Sequence, residues 1–149
     1  MPKVDLAAIA ETNRTGYPAP FDADVSGRWY RRLAPATGLT DFGASYVRLD
    51  PGAWSSQRHW HEGEDELMVM IAGEAVLVED GGRVVLGAGD IVAWPKDVAN
   101  GHHLVNESES PCLFLVVGRD NGRDCHYPDI DLLAVGATGR YLHKDGTPY

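Results

Sequence analysis

The chain has few cysteines, few basic residues and no long apolar run, and each shortage argues against a class of protein. Its two cysteines can form one bridge at most, and they lack the paired spacing of a zinc knuckle. Only 13 basic residues face 22 acidic ones, and the net charge of −9 disfavours a nucleic-acid partner. No window approaches the roughly 18 apolar residues of a membrane span. We therefore expect neither a nucleic-acid nor a membrane partner.

The chain termini and the two cysteines carry weaker signals. The first ten residues hold one Lys, one Asp and a short apolar stretch, which is too weak for a secretory signal, so a cytoplasmic protein is expected. Cys112 begins an apolar run, which favours a buried thiol. Cys125 lies in a polar segment, where we expect it to be open to solvent. Neither cysteine is given a role.

Short runs of β-forming residues, separated by many glycines and prolines, predict an all-β fold. The 17 glycines and nine prolines divide the chain as they do in a sandwich or barrel. Asp80-Gly81-Gly82, between two Val-rich runs, indicates a hairpin. The candidate strands are 28–34, 43–50, 54–61, 66–72, 74–79, 83–87, 91–94, 102–107 and 112–118. Short antiparallel strands of this kind suit a double-sheet jelly roll.

The composition divides the chain into three parts. Residues 1–27 are predicted to form an N-terminal arm, with extended chain around Tyr17-Pro-Ala-Pro. Residues 28–118 form the predicted barrel. Residues 119–149 are a C-terminal extension, polar at first and aromatic at its end, which we expect to pack on the barrel or on a partner subunit.

Three histidines and one glutamate form a candidate metal site. His59 and His61 are two apart on a predicted strand and so point to the same face. Glu66 enters the next strand, which is apolar on both faces, and a carboxylate in such a strand needs a partner. His102, from a distant strand, completes the set. Imidazole and carboxylate together bind divalent transition metals, so we predict one such ion of unknown identity.

Rivals exist for two of these ligands. Glu62, Glu64 and Asp65 precede Glu66, but they lie in a loop where solvated carboxylates are expected. His102 and His103 point to opposite faces of their strand, so one of them at most faces the metal. We predict His102 as the ligand. His103 is then a candidate catalytic acid–base group, a support for the ligands, or a packing residue between sheets.

Residues that share a face with the predicted ligands are candidates for contact with a small molecule. Met68 and Met70 follow Glu66 on its face, and Asn106 shares the face of His102. Tyr46 and Arg48 form a polar pair if their face points inward. Tyr46 would then be a catalytic candidate, and Arg48 would clamp a substrate carboxylate or phosphate. The alternative has Val47 and Leu49 inside and Arg48 outside.

Two segments of the chain resemble the two motifs of the cupin superfamily. The first is Pro51-Gly52, His59-Trp60-His61, Glu66 and Gly73, and the second is Gly89-Asp90, Pro95, Gly101-His102-His103 and Asn106. Gly52 lies one residue further from His59 than is usual, and Asp97 stands where a glycine is usual. The interval from Pro95 to His102 is two residues longer. The resemblance covers about residues 40–118.

This resemblance implies a double-stranded β-helix barrel with one metal at its centre, commonly iron, manganese, nickel, cobalt or zinc, held by His59, His61, Glu66 and His102. It also implies a homodimer. Since the superfamily includes isomerases, dioxygenases and non-catalytic binders, the fold leaves the reaction open. Our hypothesis is a metal-dependent enzyme acting on a polar small molecule, by isomerising a sugar or oxidising a small organic acid with dioxygen. The alternative is a non-catalytic, metal-bearing module that binds a sugar or small acid.

Overall fold

The computed structural model describes residues 3–119 and 121–149 of the chain. This part contains twelve β-strands and two short helical segments, joined by turns and loops. No helix within this part is long and apolar enough to cross a membrane. The helical segments are a 3-10 turn (Leu6–Ala8) and α1 (Leu33–Thr37). The strands are β1 (Arg28–Arg32), β2 (Gly43–Leu49), β3 (Trp60–His61), β4 (Glu66–Ala72), β5 (Glu74–Glu79), β6 (Gly82–Gly87), β7 (Ile91–Trp94), β8 (His103–Val105), β9 (Cys112–Gly118), β10 (Cys125–Tyr127), β11 (Leu132–Val135) and β12 (Arg140–Leu142).

The strands form three antiparallel sheets, which confirms the all-β jelly-roll prediction. A five-stranded sheet has the order β1-β2-β9-β4-β7, and a three-stranded sheet has the order β6-β5-β8. The main core joins side chains of both sheets. It includes Leu49, Met70 and Phe114 from the first sheet and Leu77 and Leu86 from the second. The barrel therefore encloses one continuous apolar interior.

Side-chain alternation along β2 decides which residues reach this interior. Val47 and Leu49 are buried at 4% and 0% exposure, and they pair with Phe114 and Cys112 of β9. Tyr46 and Arg48 must then point to the outer face of the sheet, because successive side chains in a strand alternate. The structure therefore adopts the alternative in which Val47 and Leu49 lie inside the barrel and Arg48 lies outside.

Several predicted strands are shorter than expected, and two of them show a local reason. The first, 28–34, ends at Arg32, because Leu33–Thr37 form the helical turn α1. The second, 54–61, keeps only Trp60–His61 as a strand, with isolated bridges at Trp54 and His59. Its interrupted part contains Ser55, whose Oγ accepts a hydrogen bond from the Leu104 amide at 2.9 Å. Serine side chains that bond to the backbone in this way compete with ladder formation.

The C-terminal extension forms its own sheet against β3, the strand that carries His61. The order of this sheet is β12-β11-β10-β3, and His61 of β3 pairs with Cys125 of β10. Cys125 is 8% exposed, so the expectation that it is open to solvent is wrong. It packs with Tyr127 and Leu132 in a second apolar cluster. The extension thus lies on the barrel of its own chain.

The N-terminal arm reaches the same cluster from the other side. Thr12 pairs with Tyr30 of β1 through two backbone hydrogen bonds of 2.9 and 3.1 Å. Further along, Tyr17 and Phe21 pack against the cluster of Cys125 and Tyr127. Arm and extension together therefore close one side of the barrel.

Asp97 occupies a backbone conformation that favours glycine. Its φ is 64°, in the left-handed region, at the position where the related motif has a glycine. Aspartate tolerates this region better than most residues, and Asp97 has a local partner. Its Oδ1 accepts a hydrogen bond from the Gly63 amide at 2.8 Å, and its own amide donates to the His61 carbonyl at 3.2 Å. The residue thereby ties the β7–β8 connection to the loop after His61.

We predict that Asp97→Val lowers the free energy of unfolding by about 1–3 kcal/mol, because a β-branched residue is strained at positive φ and loses the bond to Gly63. Asp97→Asn is the matched control, since asparagine tolerates the same conformation and keeps an oxygen acceptor. Urea unfolding measures both. Equal losses in the two variants would show that backbone conformation is not the reason for aspartate here.

Candidate metal centre

A short backbone pairing brings together two histidines that are far apart in sequence. The His59 amide donates to the His102 carbonyl at 3.1 Å, and the His102 amide donates to the His59 carbonyl at 2.8 Å. Residues that exchange both hydrogen bonds lie directly opposite each other, with side chains on the same face. The two imidazole centroids are accordingly 5.0 Å apart.

His61 and Glu66 approach this pair from neighbouring strands. The His61 ring centroid lies 4.7 Å from that of His59. Glu66 Oε2 lies 3.3 Å from His102 Nε2 and 3.8 Å from His61 Nε2. One ligand atom from each of His59, Glu66 and His102 lies within 4.8 Å of the others. The structure therefore brings the four predicted ligands into one cluster.

The Nδ1 atom of each histidine has an oxygen partner outside the cluster. His59 Nδ1 lies 2.8 Å from the Gln57 carbonyl, and His102 Nδ1 lies 3.3 Å from the Asn100 carbonyl. His61 Nδ1 lies 3.5 Å from Glu64 Oε2. A carbonyl or carboxylate at Nδ1 holds the proton there and leaves a lone pair on Nε2, which is how metal-binding histidines are usually oriented.

The chemistry of this donor set fits a divalent transition ion. Three imidazole nitrogens and one carboxylate oxygen match the ligands preferred by iron, nickel, copper or zinc, with the carboxylate also suiting manganese. The neighbouring imidazoles hold the Glu66 carboxylate in its charged form, since they lower its pKa against the effect of burial. His59, His61, Glu66 and His102 are thus the residues that would hold the ion.

Cys125 offers a rival donor that the sequence did not reveal. Its sulfur forms a second group with His59 and His61, again with ligand atoms within 4.8 Å of one another. Burial raises the pKa of the Cys125 thiol to about 12, so this donor must lose a proton when it binds an ion, whereas the Glu66 carboxylate is already charged. The Glu66 group is therefore the better ligand set.

Trp94 positions His102 and was also missed by the sequence analysis. The two rings stack with centroids 4.0 Å apart and planes 9° apart. Trp94 Nε1 donates to Glu79 Oε1 at 2.8 Å, which fixes the indole. Trp94 lies directly opposite Glu66 in the pairing of β4 with β7. The sequence does not show this pairing, because the register of the two strands is known only from the structure.

The cluster lies between two cavities. An inner cavity of about 450 Å³ is lined by all four ligands and by apolar side chains of the barrel. An outer cavity of about 730 Å³ shares His61 and Glu66 with it and is edged by exposed arginines. Both volumes lie in the range of small-molecule sites. A small substrate could therefore contact the cluster from either side.

Tyr46 and Arg48 do not reach either cavity, which corrects their predicted roles in catalysis and substrate binding. Both lie on the outer face of β2, because Val47 and Leu49 occupy the inner face. Arg48 forms ion pairs with Asp50 and Glu11 there. Its charge is already neutralised, so it has no role in holding a substrate anion inside the barrel.

Of the three other predicted contact residues, the structure brings only Met68 to the cavity. Met70 is 1% exposed and packs in the core beyond it. Asn106 is fully buried, and its Nδ2 donates to the carbonyls of Leu49 and Ser110 at 2.8 and 2.9 Å. Asn106 therefore satisfies backbone groups at a strand end and has no free donor for a substrate.

His103 lines the inner cavity while its ring packs on the opposite side of the strand from His102. The ring meets Trp54 edge-on at a centroid distance of 4.6 Å, and Nδ1 lies 3.0 Å from the Ser56 carbonyl. Burial lowers the pKa of His103, so the ring is neutral at neutral pH. Its catalytic role stays a prediction.

Comparison with known proteins finds extensive similarity. The cupin domain family model matches residues 45–118. The structure of a sugar phosphate isomerase from a cupin superfamily of Silicibacter pomeroyi has a TM-score of 0.93 and 39% identity, covering 99% of this chain and 96% of that one. No curated protein matches the chain in sequence.

Two more distant structures carry other activities. A predicted oxalate decarboxylase from Thermotoga maritima is 26% identical, with a TM-score of 0.53 over 62% of this chain and 79% of that one. A polyketide cyclase from Streptomyces resistomycificus is 20% identical, with a TM-score of 0.65 over 79% and 78%, and shares the fold alone. The same barrel thus serves several reactions.

We predict that His102→Ala lowers metal affinity by about 100-fold or more, because it removes a ligand. Cys125→Ser and His103→Ala should keep the metal, since neither belongs to the preferred set. Elemental analysis per chain after dialysis against a weak chelator measures all three. Loss of metal in Cys125→Ser with retention in His102→Ala would assign the ion to the cysteine-containing group.

We predict that acid destabilises the chelator-treated protein below pH 6.5. Burial lowers the pKa of His59 from 6.5 to about 3, because the charged form of the ring loses its contact with water. Charge repulsion from the His61 and His102 rings lowers the pKa in the same direction. Between these values the unfolded chain binds a proton that the folded chain does not. The free energy of unfolding therefore falls as the pH falls through this window, by up to about 1.4 kcal/mol per pH unit for one proton.

Urea unfolding at several pH values between 7.5 and 4.5 tests this dependence. His103 adds to the slope, because burial lowers its pKa as well. His59→Gln isolates the contribution of His59 and should flatten the curve between pH 6.5 and 4.5. An unchanged slope in that variant would show that His59 is not held neutral by the fold.

Proposed function

This chain belongs to the cupin superfamily, and we propose that it is a metal-dependent isomerase that interconverts small sugar phosphates. The observation that carries the proposal is the convergence of His59, His61, Glu66 and His102 between two cavities of small-molecule size. The 39% identity to a sugar phosphate isomerase, over nearly the whole of both chains, supports this reaction over others known for the fold.

Sugar isomerisation needs a polarised carbonyl and a group that carries a proton between neighbouring carbons. A divalent ion held by the four ligands would supply the Lewis acidity for the first need. The cavity walls contribute apolar side chains, including Val47, Met68 and Phe114, which limit water around the substrate. The chain's own residues must supply the proton carrier.

His103, the catalytic residue that the sequence predicts, does not face the cluster, because its ring packs on Trp54 on the opposite side of the strand from His102. We therefore assign it an indirect role, in positioning a candidate ligand. Its Nδ1 donates to the Ser56 carbonyl, and Ser56 Oγ lies 3.2 Å from Nδ1 of His59, so Ser56 links His103 to His59.

We predict that the purified protein interconverts aldose and ketose phosphates of five or six carbons, followed by proton NMR. Chelation should abolish the conversion, and a divalent ion should restore it. Glu66→Ala should remove both activity and bound metal. Oxygen uptake with small organic acids in place of isomerisation would contradict the proposal in favour of a dioxygenase. Sugar binding without turnover or oxygen uptake would favour the non-catalytic module.

We predict that His103→Ala lowers kcat by about tenfold with metal content unchanged, as expected for a residue that positions His59 through Ser56. His126→Ala is the matched control, because His126 stacks on Trp60 and pairs with Glu62 away from the inner cavity. Equal kcat values for the wild type and His103→Ala would remove the assigned role.

The homodimer expected from the family stays a prediction.

A further inference from the structure

Arg28 carries an unbalanced charge into the inner cavity. It lies on β1 and lines the cavity together with the metal ligands. Its Nη1 donates to the Ser55 carbonyl at 2.8 Å, and its guanidinium lies 5.5 Å from the Tyr30 ring centroid. Its Nε is buried and has no hydrogen-bond partner. Within residues 3–119 and 121–149, no carboxylate lies within ion-pairing distance of this guanidinium.

Five other arginines differ from Arg28 in this respect, and Arg14, Arg32, Arg119 and Arg140, which form no ion pair within the described part of the chain, are exposed to water. Each of the following forms an ion pair with a carboxylate: Arg31, Arg48, Arg58, Arg83 and Arg123. A buried donor without an acceptor costs free energy, and a desolvated charge without a counter-charge costs more. The arrangement around Arg28 is therefore suited to an anion that enters the cavity from outside the chain.

Phenol groups lie beside Arg28. Tyr17 packs against Tyr141 and Tyr127, with ring centroids 5.5 and 5.7 Å away, and all three line the inner cavity. Burial raises the pKa of Tyr17 and of Tyr141, and the charge of Arg28 acts on both in the opposite direction. Arg28 and these two phenols line the same cavity, and the phenols stay protonated, so their hydroxyl groups can donate hydrogen bonds.

We propose that Arg28, with the hydroxyl groups of Tyr17 and Tyr141, binds the phosphate group of the substrate in the inner cavity. This assignment rests on the proposed function. It means that the substrate is held by its phosphate group. A guanidinium presents several donors in a planar fork that matches phosphate oxygens, and neutral phenols add donors without adding repulsion. Arg28 is the only cationic side chain among the residues that line the described inner cavity.

One short segment connects the anion subsite to the metal cluster. The Ser55 carbonyl holds Arg28, and the next residue, Ser56, contacts His59 through its Oγ. The anchored phosphate and the metal ligands therefore share one rigid support, as positioning of a reacting group requires. A sugar bound by its phosphate at Arg28 would extend its carbon chain toward the cluster.

The outer cavity offers the rival position for a phosphate. Arg32 and Arg119 line it, and both are exposed. Exposed arginines are well solvated and gain less from an anion than a desolvated one does. Arg32 lies on the same strand as Arg28 and, four residues on, on the same face, so it makes a matched control.

Binding of inorganic phosphate to the purified full chain, measured by calorimetry before and after chelation, tests the proposal without any turnover. Arg28→Met should weaken phosphate binding about tenfold or more, as expected for loss of a charge-assisted hydrogen bond. Arg32→Met should leave it unchanged. The loss in Arg28→Met should persist after chelation, which separates it from phosphate bound to a metal. Metal content of each variant is measured in parallel.

Tyr141→Phe provides a second test that changes only one hydroxyl. It should weaken phosphate binding about threefold or more. Tyr149→Phe, in the exposed tail, is its control. If circular dichroism shows that Arg28→Met does not fold, the comparison of Tyr141→Phe with Tyr149→Phe tests the proposal.

Wild-type phosphate affinity in both Arg28→Met and Tyr141→Phe would overturn the proposal, as would loss of binding in Arg32→Met alone. Saturable binding of gluconate that depends on Arg28, without binding of phosphate, would overturn the choice of phosphate. Arg28-dependent phosphate binding in a protein that isomerises no sugar phosphate would support the anion subsite and contradict the proposed reaction. The experiments therefore distinguish failure of the phosphate subsite from failure of the proposed isomerase reaction.

Discussion

The candidate site depends on one backbone pairing, the two hydrogen bonds that His59 and His102 exchange across 42 intervening residues. This bridge is isolated, directly before β3 on one side and β8 on the other, yet it sets two imidazoles side by side. Carbonyl groups on both sides then fix the Nδ1 protons, and Trp94 holds the His102 ring by stacking. Glu66 needs only to enter the neighbouring strand to complete the cluster.

The motifs allowed the ligands to be predicted because each one follows from local spacing. Period-two alternation placed His59 and His61 on one face, and a carboxylate entering an apolar strand needed a partner. Alternation also limited the predictions, since it gives two faces without saying which is inside. That choice depends on the pairing of β2 with β9, where Val47 meets Phe114, and it put Tyr46 and Arg48 outside.

Apart from Trp94, the residues that sequence reasoning missed come from segments without a motif. Tyr17 lies in the arm, and Cys125, Tyr127 and Tyr141 lie in the C-terminal extension. They reach the inner cavity because β10 pairs with β3, a contact between segments about 65 residues apart that no local pattern indicates. Arg28 was visible only as one of several arginines, and its missing counter-charge is a property of the folded chain. The barrel supplies the candidate metal ligands, whereas arm and extension supply the wall that would determine the substrate.

The central claim is that His59, His61, Glu66 and His102 hold one metal ion between two cavities. The most direct test is the anomalous X-ray scattering of crystals grown from protein purified without chelator, measured above and below the absorption edge of the metal found. The account predicts one peak about 2.0–2.2 Å from an imidazole nitrogen of each histidine and from a Glu66 oxygen, the distances usual for a divalent ion such as zinc. A peak bonded to the sulfur of Cys125 and not to Glu66, or no peak in crystals soaked with divalent ions, would contradict it.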